Sequence, residues 1–159
     1  MDQLSTTEIH VFLGVFDFGD DLEAVTTIMG VEPTVAWLRG DQHEPHPTAR
    51  RTHSRWALHS RLPPSASFED HLHALLDQLD ERPDRVQRVA SEFRAAVWAA
   101  IYTPDYNPRM TVSPSAAGRL AALGLGIDID LYHFLTGDDP RDGGPSNKPM
   151  QTDDAARRS

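Results

Sequence analysis

Strand-like and helix-like segments alternate along residues 9–135, and this alternation constrains the fold more than any other feature of the sequence. Four stretches have the composition of strands, and all but the first, which is apolar at nearly every position, also have the two-residue period of a strand. They are residues 9–18, 53–62, 93–102 and 127–135, with a further short strand predicted at 110–112. Interleaved strands and helices of this length predict a two-layer α+β sandwich, with a mixed or antiparallel sheet and helices on one face. The ferredoxin-like arrangement is one candidate.

The helix signals lie between these strands and take the form of capping residues. The predicted starts are Asp20 with Glu23, Ser67 with Asp70, and Ser113 followed by Pro114, and the predicted stops are Gly30 and Gly124. Apolar residues at helical spacing follow Ser67, as an amphipathic helix requires. Pro83 either breaks this helix or begins a second one.

Glycine and proline mark the loops and the end of the domain. Gly40, Pro45 and Pro47 exclude a helix or a central strand over 39–52, which is predicted to be a loop. From Gly137 onward the composition changes to Gly, Pro, Asp, Asn and Ser, with almost no apolar residue. We therefore predict a single α+β domain over residues 1–135 and a disordered C-terminal tail over 136–159.

Composition excludes several classes of function. The chain contains no cysteine, which excludes disulfides, iron–sulfur clusters and thiol nucleophiles. Its 24 acidic and 15 basic residues give a formal charge of −9, unlike the basic surface of a nucleic-acid-binding domain. The first residues show no signal-peptide pattern, and the longest apolar run, 95–102, is too short to span a bilayer. We expect a cytoplasmic protein that binds neither nucleic acid nor membrane.

The histidines and glycines do not form a metal or cofactor motif. Pro45 separates His43 from His46 and prevents the helix that would place both on one face. His71 and His73 are two apart on a predicted helix and point to different sides. The Gly-x-Gly at 124–126 precedes a strand, the reverse of a dinucleotide fingerprint. We predict no metal, no cofactor and no catalytic residue, and we favour a protein that is not an enzyme.

Asp128 and Asp130 stand on one face of the last predicted strand, since residues two apart in a strand point the same way. Such a pair could hold Mg²⁺ or act as acid and base. The alternative is the solvated face of a half-buried strand. We favour this second interpretation because no other acid accompanies the pair nearby in the sequence.

The sheet face without helices is the candidate binding surface. It is predicted to carry Arg, Trp and Tyr side chains, which are favoured at binding hot spots. The candidate site residues are Trp37, Arg39, Arg55, His59, Arg94, Trp98, Tyr102, Asp128 and Asp130, with His53 and Arg61 predicted on the same face. The alternative is an ordinary polar face, or one covered by the 39–52 loop or by a second copy of the chain.

Charge is segregated along the chain. Residues 39–61 include five arginines and two acids, whereas residues 69–81 include five acids and no base. The acidic run is either the solvated face of a helix or a patch that steers a basic partner.

Three strings of residues carry a family resemblance. They are Gly30-Val31-Glu32-Pro33-Thr34 followed by Trp37, Arg39, Gly40 and Asp41, then Trp56-Ala57-Leu58, then Leu123-Gly124-Leu125-Gly126-Ile127-Asp128-Ile129-Asp130. Over about residues 9–133 the chain thereby resembles the bacterial domain of unknown function 4279 family. The resemblance implies a small stand-alone α+β protein and supplies no catalytic residue. It also implies a style of small domain that in some cases serves as an immunity protein against a secreted toxin.

Three functions follow as hypotheses. The first is an immunity-type binding protein that neutralises a partner with a basic surface, which the acidic charge and the resemblance favour. The second is a small-molecule-binding domain or enzyme, in which Arg55 or Arg94 holds an anion between Trp98 and Tyr102. The third is a homodimer that buries the helix-free sheet face.

Overall fold

The computed structural model describes residues 6–134, and the predicted tail over 136–159 lies outside them. The elements are β1 (Glu8–Phe16), α1 (Leu22–Met29), β2 (Val35–Trp37), β3 (Gln42–His43), β4 (His46–Arg50), β5 (Arg55–His59), α2 (Phe68–Asp80), α3 (Pro83–Glu92), β6 (Arg94–Thr103), α4 (Pro114–Leu123) and β7 (Ile127–His133). Within this part of the chain, no helix has the length and apolar character needed to cross a bilayer.

Five strands form one sheet in the order β2-β5-β1-β6-β7. The strands β2, β5, β1 and β6 pair antiparallel with one another, and β7 is parallel to β6. The strands β3 and β4 form a separate two-stranded ribbon. When the ribbon, α4 and β7 are set aside, the elements follow the chain order β-α-β-β-α-β, with α2 and α3 counted together as the second helix. Within the sheet, β5 lies between β1 and β2. This is the ferredoxin-like order, and the predicted α+β class with a mixed sheet is confirmed.

The core lies between the sheet and the helices, which cover one face of the sheet. Val11, Leu13 and Val15 of β1 point into this core and are completely buried. The facing stripe of α2, also completely buried, consists of Leu72, Leu75, Leu76 and Leu79. Burying an aliphatic side chain of this size contributes about 1.5–3 kcal/mol, so the contact between β1 and α2 supplies much of the stability of the fold.

Four helix ends lie at the capping residues that the sequence predicts. Ser67 and Ser113 cap α2 and α4, each hydroxyl accepting a hydrogen bond from a backbone N–H three residues further on. Gly30 and Gly124 end α1 and α4 with φ angles of 68° and 72°. This left-handed conformation is the one that glycine adopts without a steric cost.

The N-terminus of α1 lies one residue later than predicted. Asp20 is not the N-cap, because the carboxylate of Asp21 accepts the hydrogen bond from the Glu23 backbone N–H at 3.0 Å. Two adjacent aspartates can each supply a cap, and the sequence alone does not distinguish them. Pro83 begins α3, which confirms the second of the two roles considered for it.

The segment 39–52 is not a loop throughout, because the ribbon β3–β4 occupies most of it. Its prolines exclude a central strand but permit a short ribbon whose edges face solvent. The three residues of β2 pair with β5 and are too few to show a periodic pattern. The prediction of a strand at 110–112 is wrong, because these residues belong to the connection between β6 and α4 and lead directly into the N-cap Ser113.

Arg119 of α4 joins two acids of the acidic run on α2. Its Nη2 atom lies 2.7 Å from Asp77 Oδ1 and 2.7 Å from Asp80 Oδ2. The hydrogen bonds to Asp77 and Asp80 raise the pKa of Arg119 above its ordinary value. Part of the acidic run therefore has its own cation and is not free to attract a basic partner.

Replacing glycine by alanine should change the free energy of unfolding in opposite directions inside α4, at Gly118, and at its C-cap, Gly124. Gly118 lies inside the helix with open space where a Cβ atom would lie, so Gly118→Ala should raise the free energy of unfolding by about 0.5–1 kcal/mol. Gly124 has a φ of 72°, so Gly124→Ala should lower it by about 1–2 kcal/mol. Urea unfolding measures both, and equal effects at the two sites would contradict the assigned end of α4.

Candidate functional site

The candidate site lies on the sheet face that the helices leave free. Strand register places its side chains in rows that run across the sheet. One row consists of Trp37, Arg55, Phe16 and Arg94, and another of His59, Phe12, Trp98 and Asp128. The row between them consists of Val35, Ala57, Gly14 and Ala96. Because three of the four residues in this middle row are glycine or alanine, the face forms a depression between two rows of larger aromatic and charged side chains.

Gly14 brings the two aromatic rows into contact. A Cβ atom at this position would lie 2.8 Å from Cδ1 of Trp98 and 2.9 Å from Cε2 of Phe16. Both rings therefore lie over the backbone of β1, with their centroids 5.3 Å apart in an edge-to-face arrangement. Any side chain at position 14 would displace these rings and rearrange the floor of the depression.

A pocket of about 340 Å³ lies over this floor. It is lined by Phe12, Phe16, Asp17, His53, Arg55, Arg94, Trp98 and Asp130. Its volume is within the range of small-molecule sites. Phe12 and Phe16 are only 7% and 8% exposed although no helix covers them. The side chains of Arg55, His59 and Trp98 cover them instead.

Arg55 is held between two aromatic rings. Its guanidinium carbon lies 4.2 Å from the centroid of Phe12 and 4.9 Å from that of Trp37. None of the ion pairs among residues 6–134 includes Arg55. Its Nε atom is buried and has no hydrogen-bond partner in the same part of the chain. Burial, followed by the nearby Arg51, lowers the pKa of Arg55 below its ordinary value.

His59 and Trp98 add two further buried polar atoms to the same region. The His59 ring stacks on Phe12, with centroids 5.0 Å apart and an interplanar angle of 20°. Burial, then the charge of Arg55, lowers the pKa of His59 to about 4, so the imidazole is neutral at pH 7. His59 Nε2 and Trp98 Nε1 are buried without a hydrogen-bond partner among the described residues. An indole N–H can only donate, so Trp98 requires an acceptor.

The rim of the pocket combines both signs of charge. Arg94 lies 3.9 Å from Asp17, and the side chain of Arg94 is 68% exposed, so this ion pair is loose. Asp17 has a φ of 56°, the left-handed region that aspartate tolerates better than most residues. This backbone turn places Asp17 at the rim, close to Arg94. Asp130 of β7 also lines the pocket.

The structure brings five of the residues predicted from sequence into one region: Trp37, Arg55, His59, Arg94 and Trp98. All five lie on the helix-free face, in its two rows of aromatic and charged side chains. Four of them contact the ring of Phe12 or Phe16 directly. Trp37 contacts Arg55, which in turn lies on Phe12. Asp130 joins them in the pocket lining.

Other predicted residues do not line this pocket. Tyr102 is further along β6, where its ring stacks on Tyr132 at 4.8 Å, and it does not line the pocket. Asp128 and Arg39 are exposed and lie outside the lining. The place predicted for Arg61 on this face is wrong, because β5 ends at His59 and Arg61 lines a different pocket beside α2.

Phe12, Phe16 and Asp17 are site residues that the prediction from sequence omits. The signal for the two phenylalanines is present in the strand itself, since residues 9–18 are apolar at nearly every position. A strand that is apolar on both faces needs a cover on both faces. Asp17 has no comparable signal, because its role depends on the backbone turn after β1.

The acidic and histidine residues of the described part of the chain do not converge on a metal site. Within residues 6–134, no group of three or more His, Asp or Glu side chains is arranged to hold a metal ion.

Ser60 Oγ and His71 Nδ1 are 2.6 Å apart and both residues are buried. This pair connects the end of β5 to α2, and burial lowers the pKa of His71.

Comparison with known proteins places most of the chain in one protein family. The family model described as Domain of unknown function (DUF4279) matches residues 7–134, which is most of the chain. No match was found among curated proteins or among solved structures.

We predict that the free energy of unfolding falls as the pH is lowered from about 6.5 to about 4. His59 has a pKa of about 4 in the folded chain and 6.5 ordinarily, so the unfolded chain binds a proton first. This contribution is constant above pH 6.5 and becomes increasingly unfavourable to folding as the pH falls through that window. The lowered pKa of His71 acts in the same direction.

Urea unfolding of the parent chain and of His59→Gln between pH 7.5 and pH 4.5 tests this prediction. The variant cannot ionise at position 59 and should lose less stability over this range. A parallel fall in both proteins would show that His59 is not the neutral, buried group described above.

Proposed function

Since the chain belongs to the domain of unknown function 4279 family, whose description names no activity, we propose from the geometry that it binds a small organic anion in the sheet-face pocket. The ligand carries a carboxylate or a similar oxyanion on a flat apolar body. The observation that carries this proposal is Arg55, a guanidinium held by two aromatic rings at the pocket with no carboxylate paired to it among the described residues.

Unsatisfied donors explain why the ligand should be an anion. A buried donor without an acceptor costs about 1–3 kcal/mol, and more when it is charged. Arg55 Nε and Trp98 Nε1 are two such donors, and the neutral ring of His59 can supply a third. A carboxylate accepts several hydrogen bonds at once and matches the planar fork of a guanidinium.

The pocket floor explains why the body of the ligand should be flat and apolar. Phe12, Phe16 and Trp98 present ring surfaces, which favour offset or edge-to-face contacts with another ring. The volume of about 340 Å³ suits a ligand with one or two rings. Arg94 and Asp130 at the rim remain available for polar substituents of that ligand.

Calorimetric titration with benzoate tests the proposal. We expect binding to the parent chain and an affinity at least tenfold lower for Arg55→Met, which keeps the apolar stem but loses the charged fork. Arg55→Lys keeps the charge and should still lose affinity, because an ammonium cannot make the bidentate contact.

Arg88→Met is the matched control, because Arg88 belongs to α3 in the helical layer and pairs with Glu92. It changes the net charge by the same amount and should leave the affinity for benzoate within twofold. An equal loss in Arg88→Met and Arg55→Met, or an absence of benzoate binding to the parent chain, would refute the proposal.

A protein partner with a basic surface is the second candidate, and the edge strand β7 favours it. Among the described residues, no strand pairs with the outer edge of β7. Ile129, Leu131 and Tyr132 are 41–48% exposed there, beside the exposed Asp128 and Asp130. An edge of this composition suits an extended basic segment of a partner, as an immunity-type protein in a bacterial cytoplasm would require.

Mixing the protein with the product of the neighbouring gene tests this second candidate. The double variant Asp128→Asn with Asp130→Asn should weaken such a complex at least tenfold, whereas Asp84→Asn in α3 should leave it unchanged. Benzoate binding should survive Asp128→Asn alone, which separates the two candidate functions.

A further inference from the structure

Two arginines contact the indole ring of Trp37. The guanidinium carbon of Arg51 lies 3.9 Å from the centroid of this ring, and that of Arg55 lies 4.9 Å from it. The two distances together limit the separation of the guanidinium carbons to 8.8 Å. Like charges this close repel each other, and the charge of Arg51 lowers the pKa of Arg55.

Neither arginine is neutralised by an ion pair with a carboxylate of the described residues. The Nε atoms of both are buried and lack a hydrogen-bond partner among the same residues.

The backbone around this cluster is fixed in place. Gly40 N–H donates to the carbonyl of Arg51, and Arg51 N–H donates to the carbonyl of Asp41, both at 2.8 Å. Trp37 Nε1 donates to the carbonyl of His53 at 3.2 Å, which sets the orientation of the ring. The cations are thus held close together by the ribbon base and by β5 before any ligand arrives, which reduces the ordering cost of binding.

We propose that Arg51 and Arg55 together bind a phosphoryl group, so that the ligand is a phosphate monoester whose flat body occupies the sheet-face pocket. A tetrahedral dianion presents oxygens in several directions and can receive two guanidinium forks at once. With hydrogen bonds of about 2.8 Å, a guanidinium carbon lies about 4 Å from the phosphorus, so two guanidinium carbons can serve one phosphoryl group at any separation up to about 8 Å. This inference rests on the proposed binding of an organic anion in the pocket.

Calorimetric titrations with phenyl phosphate and with benzoate, on the full chain at pH 7.5, test the inference. Phenyl phosphate should bind at least tenfold more tightly than benzoate. Arg51→Met should remove that advantage and leave the benzoate affinity within twofold, whereas Arg55→Met should weaken both ligands. Arg50→Met is the matched control, since Arg50 is the exposed neighbour on β4, and it should change neither affinity by more than twofold.

The outcomes separate the inference from the proposal on which it rests. Equal affinities for the two ligands, or an equal effect of Arg51→Met on both, would overturn the phosphoryl site while benzoate binding stands. Binding of neither ligand to the parent chain would overturn the proposed function as well. Circular dichroism of each variant shows whether a loss of affinity comes from a loss of folding.

Discussion

The central strand β1 has to be covered on both faces, and the rest of the molecule depends on how this is done. The helices cover Val11, Leu13 and Val15 on one face in the usual way of a two-layer sandwich. On the other face, within residues 6–134, no second layer of secondary structure covers Phe12 and Phe16. Side chains from β5 and β6 cover them instead, and these are the guanidinium of Arg55, the imidazole of His59 and the indole of Trp98.

The helix-free face is a candidate binding site because only single side chains, and no helix, cover Phe12 and Phe16 there. Polar groups that lie on apolar rings lose contact with water and need not gain a hydrogen-bond partner in exchange. Among the described residues, Arg55 Nε is buried without such a partner. Burial also lowers the pKa of His59. Gly14 is needed for this arrangement, because only a residue without a Cβ lets Trp98 and Phe16 lie over the strand. The same contacts that bury the second face of β1 therefore create a pocket with aromatic walls and unsatisfied donors.

Local signals in the sequence were sufficient for the helices and the long strands. Caps such as Ser67 and Ser113, and the terminating glycines, depend on nearest neighbours and can be read directly. The three-residue β2 and the ribbon have no such signal, because short strands are defined by their partners. The adjacent Asp20 and Asp21 were ambiguous for the opposite reason, since either could cap α1.

The candidate site was predictable in its residue types and only partly in its geometry. Alternation along the strands placed Arg55, His59 and Trp98 on one face, which the register of β1 with β5 and β6 brings together. Which rows adjoin depends on register, and a single sequence does not determine register. For this reason the prediction from sequence includes Tyr102, which lies further along β6, and omits Phe12 and Phe16, which form the floor of the pocket.

The overall charge of −9 gives no indication of the site, whose central feature is a pair of arginines that form no ion pair within residues 6–134. The most direct test of an anion site is nuclear magnetic resonance of the ¹⁵N-labelled chain during addition of benzoate. The Arg55 Nε–H and Trp98 indole N–H signals are predicted to shift together, with the same dependence on concentration, as both donors acquire an acceptor. Shifts confined to residues of α2 and α3, with these two signals unmoved, would contradict the assignment of the site.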